Sequence, residues 1–127
     1  MEKITQELIQ KILAENKIEL SCTHAKLCVP IIDRIYRKMS IGIQFSGIKV
    51  DGCLICDGHH RYVASLLANV PVVRFPFNST SATAAIDWRS VVFVEEDWDT
   101  TAKIEMLNEQ DAKFNNITVD QLIELLK

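Results

Sequence analysis

Asp51-Gly52-Cys53-Leu54-Ile55-Cys56-Asp57-Gly58-His59-His60-Arg61 is the stretch from which the rest of this chain is read. Asp-Gly is a preferred two-residue turn, so Ile48–Val50, Asp51-Gly52 and Cys53–Cys56 predict a β-hairpin. Beyond Asp57 the pattern changes. Tyr62 to Ala68 has helical character and ends near Asn69, a residue that tolerates the left-handed conformation, with Pro71 just beyond. The five residues Asp57 to Arg61 therefore sit where a strand turns into a helix. A helix start carries unpaired backbone N–H groups and a partial positive charge, and it attracts anions. Gly58 lets the backbone approach a ligand closely, while two imidazoles and a guanidinium add donors. The ligand such a corner suits is a phosphate or another oxyanion.

Outward from the corner, the chain alternates helix and strand. Ile4, Leu8, Ile9, Ile12 and Leu13 recur at helical spacing and predict an amphipathic helix over Ile4–Glu15. Lys17–Ser21 alternates as a short strand would. Pro30 suits the first turn of a second helix, with Ile31, Ile32, Ile35, Tyr36 and Met39 as its apolar stripe. Arg34, Arg37 and Lys38 share its other face, either as a solvated surface or as a guide for an anion. Val70–Phe77 reads as an apolar edge strand interrupted by prolines, and Asn78–Thr83 as a Ser/Thr-rich loop. Ser90–Glu95 predicts a further strand, Thr100 to about Asp111 a helix. Thr118 and Gln121 form a capping box for a last helix, in which Ile117 staples to Leu122; Val119, Leu122, Ile123 and Leu126 make its stripe. Trp88 and Trp98, which flank the Ser90–Glu95 strand, read as packing residues rather than a platform for bases.

The chain has 127 residues, 48% hydrophobic and 24% charged, which suits a single folded α+β domain over 1–127. No apolar run approaches the roughly 18 residues that span a bilayer, and no apolar leader stands at the start, so a cytoplasmic protein is expected. The net charge of −3 is uneven: up to Ala85 there are 10 Lys and Arg against 7 Asp and Glu, and from Ile86 onward 4 against 10. The basic excess surrounds the corner but is too weak for a nucleic-acid footprint. The acidic C-terminal part offers a surface to a basic protein partner. Cys53 and Cys56 have C-x-x-C spacing, but positions three apart on a strand point to opposite faces, so reduced thiols are expected rather than a zinc site.

The run Asp51 to Val72 resembles the core motif of the ParB/sulfiredoxin-like superfamily, with the preceding helix and the Ile43–Val50 segment falling where that fold has them. The similarity covers about Cys22 to Phe75 and leaves the N-terminal helix and the acidic C-terminal extension unmatched. The resemblance implies a small mixed sheet packed with helices. Gly58-His59-His60-Arg61 is more similar to the free serine kinases and the ParB-like nuclease domains than to the chromosome-segregation proteins, which show Gly-Glu-Arg-Arg here. Sulfiredoxins carry their catalytic Cys where His59 stands, so sulfinic-acid repair is not expected.

What the resemblance implies is a nucleoside triphosphate, ATP or CTP, bound with Mg²⁺ at Gly58, His59, His60 and Arg61. Asp57 would hold the metal or the acceptor hydroxyl, and His60 would help neutralise developing charge. The kinases of this group have an acidic general base in the region equivalent to Ser21–Leu27, where this chain has no carboxylate; His24 is the substitute base. The leading expectation is thus phosphoryl transfer to a small hydroxyl compound. A metal-dependent nuclease and a non-catalytic binding module are the alternatives, and under the latter Asp57 is only a helix cap and the histidines are structural.

Overall fold

The computed structural model describes residues 2–127, and the hairpin at Asp51 organises it. Strands β2 (Ile48–Asp51) and β3 (Leu54–Asp57) run antiparallel, with Asp51 paired to Leu54. The two turn residues are therefore Gly52 and Cys53 rather than Asp51 and Gly52. Gly52 has φ +60°, the left-handed region that a tight hairpin needs. The Asp51 carboxylate reaches outside the hairpin. It accepts from the Ser79 N–H at 2.9 Å and the Ser79 hydroxyl at 2.6 Å, which ties the Asn78–Thr83 loop to the strands. Strand β4 (Arg74–Pro76) adds to β2 in parallel, giving the order β3-β2-β4. Only these three residues of the expected Val70–Phe77 strand pair, and they lie at an edge, as the prolines dictate.

A second, two-stranded sheet pairs β1 (Lys26–Cys28) in parallel with β5 (Val92–Val94). Here the structure corrects the sequence reading. Lys17–Ser21 is not a strand; Ser21 makes one isolated bridge to Leu54, and Cys22 one to Ile86. The Ser21-Cys22 segment is thus tied to β3 on one side and to Ile86 on the other, with the Ser21 N–H reaching Cys53 O at 2.6 Å and the Ile86 N–H reaching Cys22 O at 2.7 Å.

Among the described residues the α-helices are α1 (Gln6–Glu15), α2 (Val29–Ser40), α3 (His59–Ala68), α4 (Thr101–Phe114) and α5 (Val119–Leu125). Their ends follow local chemistry. The Thr5 hydroxyl accepts from the Leu8 N–H, and Pro30 occupies the first turn of α2. Asn69 closes α3 at φ 55° while the Val70 N–H reaches back to Ser65 O. The capping box of α5 forms in both directions, 3.0 Å from the Gln121 N–H to Thr118 Oγ1 and 2.8 Å from the Thr118 N–H to Gln121 Oε1. Leu122 is fully buried beneath it, whereas Ile123 faces outward at 44% exposure.

Helices α2 and α3 pack together over β1 and β5, burying Leu27, Ile32, Val63, Ala64 and Phe93, with Ile9 of α1 closing one side. Tyr62 turns the other face of α3 onto Ile48 and Ile55 of the hairpin. A third small cluster, Ile43, Ala112 and Leu122, seats α4 and α5. The cationic face of α2 is engaged by carboxylates, with Lys38 buried and Arg37 still 37% exposed. Arg34 binds Asp97 and Asp99, Arg37 binds Asp33, and Lys38, buried, binds Asp111 at 2.7 Å. The basic and acidic parts of the sequence thus neutralise one another across the fold. Among the described residues no helix is long and apolar enough to cross a membrane.

Candidate functional site

Helix α3 starts at Gly58, which adopts φ +97°. That conformation is costly for any residue with a side chain, and a Cβ here would lie 2.5 Å from Ile48 Cγ2 and 2.9 Å from Arg61 Nη2. Glycine is therefore required by both the turn and the packing. No side chain caps the helix start. The Tyr62 N–H reaches Gly58 O at 2.9 Å, but the amides of His59, His60 and Arg61 have no acceptor among the described residues. Three backbone donors are thus left open beside Asp57, whose carboxylate is 62% exposed. Asp57 does not cap the helix, so of its two readings, cap or working carboxylate, the capping one does not hold.

Consecutive residues on a helix point about 100° apart, so the three side chains that follow Gly58 diverge. His59 is buried and stacks on His24, with ring centroids 3.9 Å apart. Its Nε2 accepts the Thr23 N–H at 3.1 Å, and the Thr23 hydroxyl donates to Ile55 O at 2.7 Å. His60 turns the other way: its Nε2 accepts the Cys28 N–H at 2.9 Å, and its ring meets Trp98 edge to face at 5.7 Å. Because Nε2 is the acceptor in both rings, the proton rests on Nδ1. Neither Nδ1–H has a partner among the described residues.

Both imidazoles are neutral. Burial, reinforced by the neighbouring His24 and then by His60, lowers the pKa of His59 to about 4, against a smaller opposing pull from Asp57. Burial lowers His60 to about 4 as well, with His24 and Arg61 adding to the effect and Asp99 opposing it. The rings are therefore backbone tethers that lock the Thr23-His24 segment and the start of α2 onto the start of α3. The positive charge of the corner comes from Arg61 and the helix amides.

Arg61 lies back along the corner. Its Nη2 is 3.4 Å from Asp57 Oδ2 and 3.4 Å from Gly47 O, and its Nε is buried without a partner. Contacts of that length are at the outer limit of hydrogen bonding, so the guanidinium is weakly held. Among the expected site residues, then, Asp57, Gly58 and Arg61 share one surface, and His24 meets His59 behind it. Among the described residues no three His, Cys, Asp or Glu side chains converge as a metal site would require. Cys22 and Cys28 are buried, Cys56 is half-buried and Cys53 is exposed, all unbridged.

Sequence reasoning misses Thr23, Cys28 and Trp98. Cys28 acts through its backbone N–H, for which side-chain identity gives no signal, while Thr23, through its N–H and hydroxyl, and Trp98 reach the histidines from segments distant in sequence. Comparison with protein-family models, with curated proteins and with solved structures finds no match to this chain.

Proposed function

We propose that this chain binds the phosphates of a nucleoside triphosphate, ATP or CTP, at the start of α3, and that it serves phosphoryl transfer to a small hydroxyl compound. The observation that carries the reading is the row of open amides at His59, His60 and Arg61, at a helix start that no side chain caps. Such a start favours anions through both its donors and its dipole. The order hairpin, corner, helix, parallel edge strand supports the resemblance to the ParB/sulfiredoxin-like fold that suggested a nucleotide.

Each residue has a role in this reading. Gly58 lets the phosphate approach the backbone. Arg61, loosely held in the unliganded chain, turns its fork onto a phosphoryl oxygen. His60 supplies its Nδ1–H as a neutral donor, His59, whose ring is buried, contributes its backbone amide, and both Nε2 atoms keep the tethers. Mg²⁺ usually arrives on the phosphates and needs only one or two protein carboxylates, so the exposed Asp57 fits a metal–nucleotide better than a stand-alone metal. Bound there, the metal would screen charge on the transferred group. Transfer of a loose phosphoryl group depends on positioning and electrostatics more than on a strong base, so a missing carboxylate near His24 is no obstacle.

The test is a ¹⁵N-resolved titration with ATP and CTP, with and without Mg²⁺, on wild type and Arg61→Ala. The amides of His59, His60 and Arg61 are expected to move first, and Arg61→Ala to weaken binding about tenfold, the loss of one charge-assisted contact. Shifts confined to other residues, or none, would overturn the site. Mg²⁺-dependent nicking of plasmid lost in His60→Ala would instead favour the nuclease reading.

A further inference from the structure

Between α2 and α4 lies a cavity of about 310 Å³. Its apolar walls come from Ile31 and Ile35 of α2, Ile104 and Leu107 of α4, and Phe45. Its charged groups are Arg34, Lys38, Arg61, Asp99 and Asp111. The pairing among them is unequal. Arg34 holds Asp97 with both arms, at 2.7 and 2.9 Å, and reaches Asp99 at 3.2 Å. Lys38 holds Asp111 at 2.7 Å. Both acids of the wall are thereby engaged by cations of α2.

Arg61 is the most loosely paired of these charges. Among the described residues its hydrogen bonds are the two at 3.4 Å described above, one of them its ion pair with the exposed Asp57, and its Nε is buried with no acceptor. A buried N–H without a partner is destabilising, and as placed no acceptor among the described residues relieves it. An anion in the cavity would, since a small rotation of the weakly held guanidinium presents its planar fork. A carboxylate matches that fork in shape. The remaining walls are mainly apolar, with Ser46, Asn108 and Gln110 as uncharged polar groups at the lining, and the volume lies at the lower end of small-molecule sites. A zwitterion is poorly served, because no carboxylate is free to receive an ammonium group.

We propose that this cavity is a binding site for a small organic carboxylate with an aliphatic or aromatic body, the carboxylate on Arg61 and the body between α2 and α4. The inference goes beyond the nucleotide reading and does not depend on it, although the two ligands share Arg61.

The experiment is a ¹⁵N-resolved titration of the full chain with hexanoate, compared with hexanamide, leucine and inorganic phosphate. Hexanoate is expected to saturate in the millimolar range, moving the Ile35, Leu107 and Asn108 amides and the Arg61 Nε–H signal. Hexanamide, leucine and phosphate should bind at those positions at least about tenfold more weakly, as loss of a charge-assisted contact implies. Leu107→Trp, which fills the cavity, and Arg61→Gln, which removes the cation, should each weaken hexanoate by a similar factor. Leu107→Trp should keep the ATP response at His59 and His60, so failure of the nucleotide site and failure of this one are told apart. Should Leu107→Trp not fold, Arg61→Gln decides alone. Equal binding of hexanamide, shifts at the α3 start without any at Ile35 and Leu107, or no hexanoate response up to about 50 mM, well beyond the range of a specific site, would each overturn the proposal.

Discussion

His59 and His60 carry information of two kinds, because each ring is a hydrogen-bond acceptor that works only while neutral. Protonating Nε2 would set an N–H against the N–H of Thr23 or Cys28. In the unfolded chain both rings take up protons near pH 6.5, whereas in the fold they resist until about pH 4. The unfolded state therefore binds more protons between these values, and stability falls as the pH drops through that window. Above pH 6.5 the contribution is complete; for the buried His59 it is on the order of 3 kcal/mol at most, the free-energy equivalent of moving its pKa from 6.5 to about 4. Urea melts of wild type and His59→Gln across pH 4 to 7.5 test this. Gln Oε1 replaces Nε2 as acceptor for Thr23 and does not titrate, so the variant is expected to lose about half of the acid sensitivity. An unchanged pH profile would mean that His59 is not held neutral by burial.

Helix α2 shows how an element is fixed by partners its own sequence does not name. Its apolar stripe is legible in Ile32, Ile35, Tyr36 and Met39, and Ile32 is fully buried as the spacing requires. Lys38 has no such signal. Placed by helical period on the polar face, it is nevertheless only 5% exposed, because α4 covers it and presents Asp111. A buried pair of this kind need not stabilise against an apolar pair, but breaking it strands a charge. Lys38→Ala is thus expected to cost about 3 kcal/mol or more. The double substitution Lys38→Met with Asp111→Leu should lie within about 1 kcal/mol of wild type or exceed it. Chemical denaturation of the single and double variants measures both, and a double variant as weak as Lys38→Ala would show that the ion pair is needed for the α2–α4 packing itself.

At the scale of the whole molecule, the densest burial lies where α2, α3 and the β1–β5 pair meet, while residues 78–84 are held by few contacts beyond those of Asp51 with Ser79 and Thr80 with Thr83. Amide exchange should follow that gradient, since local opening needs less free energy where little apolar surface is buried. The slowest amides are expected in Ile32, Val63, Ala64 and Phe93, the fastest among residues 80–84. Slower exchange in α5 than in α2 would relocate the core to the C-terminal helices.

Local chemistry was readable from the chain because its determinants are neighbours in sequence. The hairpin follows from the left-handed Gly52, although its turn falls one residue later than Asp51-Gly52, the α3 end from Asn69, and the α5 start from Thr118 and Gln121. The candidate corner was legible for the same reason: Gly58, at φ +97°, and the open amides of α3 need nothing distant to form. Strand β1 was not, since Lys26–Cys28 is too short for a period and exists only because Val92–Val94 pairs with it. The neutrality of the imidazoles, the burial of Lys38 and the unpartnered Nε of Arg61 were likewise decided by tertiary structure. Charge state and partner choice depend on the dielectric and the donors that distant segments bring to a group, and those are set only when the chain has packed.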